Sequence, residues 1–177
     1  MKTELVQTAF VVICLVFLAA LQDMLPPFGG AKPPFLQVFA LYVALAETPC
    51  ANERRSRAPR SVRWAWTAGV AGYLMEMLSG HPFGSCIGFI VPVCALAHML
   101  RRIAPSDRSP ASLGVVAALA YVPLQEAWLG AWGGSGADSA VVRFFASIVL
   151  AVLAGAALFT LLPRIERFAG LCEEEPA

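Results

Sequence analysis

Residues 69–84 read GVAGYLMEMLSGHPFG, and this stretch decides the fold. Its first ten residues are apolar except for one acid, Glu76, and its last six are rich in glycine and proline, which end helices. The apolar pattern extends back to residue 62 and resumes over residues 85–100. The stretch therefore predicts two apolar helices, 62–78 and 85–100, joined by a tight hairpin. The residues assigned to the turn are Ser79, Gly80, Pro82 and Gly84.

The composition of the whole chain indicates that these helices face lipid. Of its 177 residues, 58% are hydrophobic and 14% are charged, and the mean hydropathy is +0.68. Soluble domains carry about 25% charged residues, and a chain of this size cannot bury the excess apolar surface in its own core. The net charge is +1 and no basic stripe is present, so nucleic acid is not an expected partner.

Four further apolar segments complete the predicted fold. They cover residues 5–25, 35–47, 113–129 and 141–162. A helix that crosses a bilayer needs about 20 apolar residues, or fewer where its ends lie in polar surroundings. The sequence therefore predicts an all-α polytopic membrane protein, with six transmembrane helices in a single domain over residues 1–177. Residues 163–177 are predicted to form a cytoplasmic tail.

The distribution of basic residues predicts the orientation. With the N-terminus inside, eleven Lys and Arg residues lie in cytoplasmic segments and two, Lys32 and Arg143, lie outside. Short cytoplasmic loops of membrane proteins carry such an excess. An odd number of helices would place the arginines of 54–63 and those near the C-terminus on opposite sides. Six helices with both termini in the cytoplasm fit the pattern.

Small residues recur at four-residue spacing in two predicted helices. The pairs are Ala65/Gly69 and Ala68/Gly72 in one helix, and the series Ser147/Ala151/Gly155 is in the last. Small residues let membrane helices approach closely. They indicate either packing within this protein or a face for a partner's helix.

Polar residues within the apolar segments form the candidate site. Three acids lie near the predicted outer ends of their helices, at a depth where a charge against lipid is costly. Three further polar residues are expected at the same depth, so an outward-facing polar patch is predicted between the first, third and fifth helices. It would be either a binding site or an interhelical polar contact, unless each acid simply reaches the headgroups or caps a neighbouring helix end. Glu76 is expected to accept hydrogen bonds from Gln22 or Gln125. The patch comprises Asp23, Glu76, Glu126, Gln22, Gln125 and His81.

Signals of enzymatic chemistry are missing from the sequence. It contains no Gly-x-Ser-x-Gly, phosphate-binding loop, His-Glu-x-x-His or dinucleotide motif. The five cysteines include no Cys-x-x-Cys pair and are interpreted as small apolar residues. A non-enzymatic protein without a cofactor or metal is therefore expected.

The stretch over residues 69–84 resembles the signature of the MreD family of bacterial rod-shape-determining membrane proteins. The resemblance lies in the spaced glycines, the acid, and the Leu-Ser-Gly-His-Pro-Phe-Gly turn, with Glu76 where the family usually has aspartate. Residues 21–26, LQDMLP, and the segment from Lys32 to the short second helix also resemble the family, although Pro34 stands where the family often has aspartate.

This resemblance implies a fold, a role and partners. The implied fold is the six-helix fold of the substrate-binding subunits of energy-coupling-factor vitamin transporters. The implied role is non-enzymatic, in the peptidoglycan-synthesis complex of cell elongation in the bacterial inner membrane. The implied partners are MreC, RodA and a class B penicillin-binding protein, together with the actin-like MreB.

Two other functions remain open from the sequence. A vitamin-binding transporter subunit would have the same size and fold, and it would need a pocket with aromatic and hydrogen-bonding groups. An assembly anchor without any pocket is the third possibility. Neighbouring genes would discriminate, because cell-wall synthesis genes favour the first function and transporter ATPase genes favour the second.

Overall fold

The computed structural model describes most of the chain, and its described part is all-helical, as predicted. The five helices with defined bounds are α1 (Lys2–Met24), α2 (Phe35–Leu45), α3 (Ser61–Ser79), α4 (Ser85–Ile103) and α5 (Ala140–Phe168). No strand is present in these regions, where Phe28 and Ala31 form one isolated bridge. The described residues are 2–28, 31–45, 61–79, 82–103, 112, 115–117, 119–121, 124–125, 128 and 140–168.

The observed bounds agree with most of the predicted segments. The described residues between 112 and 128 are helical, as predicted for 113–129, but the ends of that segment lie outside the described residues. The predicted end of the last helix at residue 162 is wrong. Helix α5 continues through Pro163 to Phe168, and Glu166 in its final turn is buried.

Helix α2 occupies the centre of the bundle. It packs against α1, α3, α4 and α5, and eight of its eleven residues are buried. Its sequence FLQVFALYVAL is apolar on every side, which is the pattern of a helix surrounded by other helices. The shortest helix is therefore the one around which the others are arranged.

Contacts between helix ends show that successive helices run in opposite directions. The Gln22 side chain, near the end of α1, accepts a hydrogen bond from the Leu36 N–H at the start of α2. The Glu76 side chain, near the end of α3, does the same for Cys86 at the start of α4. We call this the Glu76 end of the bundle. The opposite end, where α2 and α5 finish, is called the Glu166 end.

Helices α3 and α4 approach each other closely because Gly72 has no side chain. A Cβ atom at Gly72 would lie 2.9 Å from the Ile87 Cα atom, whereas a Cβ at Gly69 would meet nothing within 4 Å. Ala68 is fully buried beside Gly72. The Ala68/Gly72 pair thus serves packing within this protein. Ala151 and Gly155 of α5 are also buried.

Two described helices are long and apolar enough to cross a membrane. They are Leu5–Met24 and Val141–Phe168, and the apolar helices Phe35–Leu45 and Ser85–Leu100 are shorter. Both long helices expose large apolar side chains, among them Phe17 at 63% and Phe145 at 62%. A surface this apolar is unusual for a soluble monomer and is typical of contact with lipid or with another protein.

Candidate functional site

Glu76 is a buried acid that bridges α3 and α4. Its side chain is 5% exposed, and its Oε1 atom accepts hydrogen bonds from the backbone N–H groups of Cys86 and Ile87, each at 2.9 Å. These two residues lie in the first turn of α4, beyond the hairpin. One carboxylate oxygen therefore joins the end of α3 to the beginning of α4.

The first turn of α4 needs such an acceptor because it begins after a glycine. The Gly88 N–H donates to the Gly84 carbonyl at 2.8 Å, which makes Gly84 the residue that caps the helix. Caps are usually Ser, Thr, Asp or Asn, whose side chains accept from the free N–H groups of the first turn. Gly84 has no side chain, so Glu76 supplies the acceptor from the preceding helix. A carboxylate is also favoured there by the helix dipole.

The hairpin itself is shaped by Gly84 and Ser85. Gly84 has φ +90°, a left-handed conformation that a Cβ atom would penalise. The Ser85 N–H and hydroxyl both donate to the Pro82 carbonyl, at 3.1 Å and 2.7 Å. The glycine and the proline therefore turn the chain, and Ser85 closes the turn.

The N-terminus of α2 is held in a similar way. The Val38 N–H donates to the Pro34 carbonyl at 3.0 Å, so α2 begins directly after a proline that offers no capping side chain. Gln22, from the end of α1, accepts from the Leu36 N–H at 3.2 Å and is itself 8% exposed. Two helices that start at the Glu76 end are thus capped by a polar side chain of the helix before them.

The predicted polar patch is therefore arranged differently from the expectation. The donors to Glu76 are backbone groups of α4, which matches the alternative that the acid caps a neighbouring helix end. The expected hydrogen bonds to Glu76 from Gln22 or Gln125 were the wrong assignment, and Gln22 is engaged at α2. The free N–H groups at a helix start are already held in place by the turn. They therefore donate to the carboxylate at a lower entropic cost than amide side chains, which must first be ordered. Glu76 consequently joins α3 to α4.

The other predicted site residues have separate surroundings. Asp23 is exposed and forms an ion pair of 3.2 Å with Lys32, and the Ser79 hydroxyl donates to the Met75 carbonyl of its own helix. Gln125 lines a cavity, described next. The positions Glu126, His81 and Gly80 lie outside the described residues.

A small cavity lies beside the hairpin, and its volume is about 10 Å³. This is room for about one water molecule, whereas small-molecule pockets measure about 300–1,000 Å³. The Trp128 indole donates to the Ser85 carbonyl at 2.8 Å and closes one side. The cavity is lined by Met75, Ser85, Cys86, Phe89, Tyr121, Gln125 and Trp128. Among the described residues, no three His, Cys, Asp or Glu side chains converge as metal ligands.

A second polar cluster lies at the Glu166 end, and sequence reasoning missed it. The Tyr42 hydroxyl and the Glu166 carboxylate lie close together, and both residues are buried. Arg63 lies within electrostatic range of the same carboxylate and donates to the Gln7 side chain at 2.7 Å. Glu166 follows the buried Leu162 by four residues, and this helical spacing could have placed it on the buried face of α5.

Aromatic packing accompanies this cluster. The rings of Trp64 and His98 stack with centroids 5.6 Å apart, and His98 Nδ1 lies 3.3 Å from the Ala44 carbonyl oxygen. The start of α3 therefore meets the ends of α2 and α4 at this level.

No known protein family matches this chain, and neither a curated protein nor a solved structure is significantly similar to it.

Proposed function

We propose that this chain is an MreD-like, non-enzymatic membrane component of the bacterial complex that synthesises peptidoglycan during cell elongation. The observation that carries the proposal is the environment of Glu76. The acid of the signature over residues 69–84 joins α3 to α4, so the motif has a structural purpose in this helix pair. A helix bundle with an apolar outside is suited to contact with partner proteins in the membrane. The proposed partners are MreC, RodA and a class B penicillin-binding protein.

The proposed topology has six membrane spans with both termini in the cytoplasm. The alternating direction of α1 to α4 supports it, and so does the position of Trp128 beside Ser85 at the Glu76 end. Arg63 lies at the Glu166 end, which the eleven-to-two distribution of basic residues assigns to the cytoplasm. Short helices such as α2 are surrounded by other helices, and they need not match the full bilayer thickness.

Reporter fusions test this topology. Fusions after Arg57, Arg108 and Ala177 are expected to report a cytoplasmic location, and a fusion after Gly134 is expected to report an external one. The reason is the excess of Lys and Arg in the segments assigned to the cytoplasm. A cytoplasmic signal from the Gly134 fusion would contradict six spans.

Depletion in the bacterial host tests the function. Loss of an elongation component is expected to turn rod-shaped cells into rounded ones, because lateral wall synthesis stops while division continues. Re-expression of the wild type is expected to restore rods. Cross-linking of the tagged protein in membranes, followed by mass spectrometry, is expected to recover MreC, RodA or the penicillin-binding protein. Cells that keep their shape and width after full depletion would refute the proposal.

A vitamin-binding transporter subunit is the alternative, and no described feature favours it. Such a subunit needs a pocket of at least about 300 Å³, and the cavity beside the hairpin measures about 10 Å³. Uptake of labelled vitamins before and after depletion separates the two functions. Reduced uptake with normal cell shape would favour the transporter subunit.

A further inference from the structure

We draw no further inference here: the strongest candidate, the outer face of α3 where Gly69 lies between the exposed side chains of Trp66 and Tyr73, carries nothing because no described residue shows what covers this apolar surface.

Discussion

Replacement of Glu76 by leucine is expected to lower the free energy of unfolding by about 3 kcal/mol, because one buried and one partly buried N–H group lose their acceptor at a cost of about 1–3 kcal/mol each. The affected groups are the N–H groups of Cys86 and Ile87, which now donate to Glu76 at 2.9 Å. For a chain of this length, the change corresponds to a fall of about 6–12 °C in the unfolding midpoint. Thermal unfolding of the purified protein in detergent measures it.

Two further variants give the control for this prediction. Glu76→Gln keeps a carbonyl oxygen at the same place, but it loses the charge near the helix start and puts an NH2 group where Oε2 is buried without a partner among the described residues. It is therefore expected to cost about 1–2 kcal/mol, less than the leucine variant. Met77→Leu changes the next residue, whose side chain is 62% exposed, and is expected to be neutral. Equal stability of the leucine variant and the wild type would show that Glu76 does not hold α4.

The leucine and glutamine variants of Glu76 also distinguish a structural role from ligand binding in cells. If Glu76 is a structural residue, the glutamine variant supports rod shape and the leucine variant does not. If the carboxylate instead binds a cationic ligand, both variants fail at normal membrane levels. Cell shape in the depletion strain, with the amount of membrane protein quantified in parallel, distinguishes these outcomes.

Replacement of Gly72 by alanine is expected to destabilise the protein by about 2 kcal/mol, the usual cost of overpacking a tight contact. The new Cβ atom would lie 2.9 Å from the Ile87 Cα atom and 3.0 Å from an Ile90 methyl group. The nearer atom belongs to the backbone, so α3 and α4 must move apart to accommodate it. The unfolding midpoint is expected to fall by about 4–8 °C, and Gly72→Leu is expected to abolish the folded yield.

Gly69→Ala is the matched control, three residues earlier in the same helix. A Cβ atom there meets nothing within 4 Å, and alanine is favoured over glycine within a helix by about 1 kcal/mol. The variant is therefore expected to be as stable as the wild type or up to about 1 kcal/mol more stable. A similar loss of stability from both substitutions would mean that the cost does not come from the close α3–α4 contact at Gly72.

Much of the secondary structure could be predicted because it depends on local patterns. The hairpin between α3 and α4 follows from an apolar run, a glycine- and proline-containing turn, and a second apolar run within residues 62–100. The end of α5 could not be predicted in this way. The apolar run predicts an end at residue 162, but α5 continues through Pro163 to Phe168 and buries Glu166.

Two residues of the predicted patch, Glu76 and Gln22, form hydrogen bonds between helices, but with partners other than those expected. Glu76 and Gln22 were selected because polar groups in apolar helices need a partner. Their partners turned out to be backbone N–H groups of the following helices, since Gly84 and Pro34 leave those helix starts without capping side chains of their own. The sequence shows that capping residues are missing there, which was the signal available for this arrangement.

The sequence by itself determined the helical, apolar character of the chain and the position of its hairpin, because hydrophobic content and turn residues act over a few neighbouring positions. Only the tertiary structure decided which polar groups meet. Glu76 reaches α4 and Gln22 reaches α2, since each pairing depends on how far the helices rotate and how closely they approach. Gly72 allows α3 and α4 to approach closely because it has no side chain. The local sequence does not show which atoms of another helix a side chain at this position would contact.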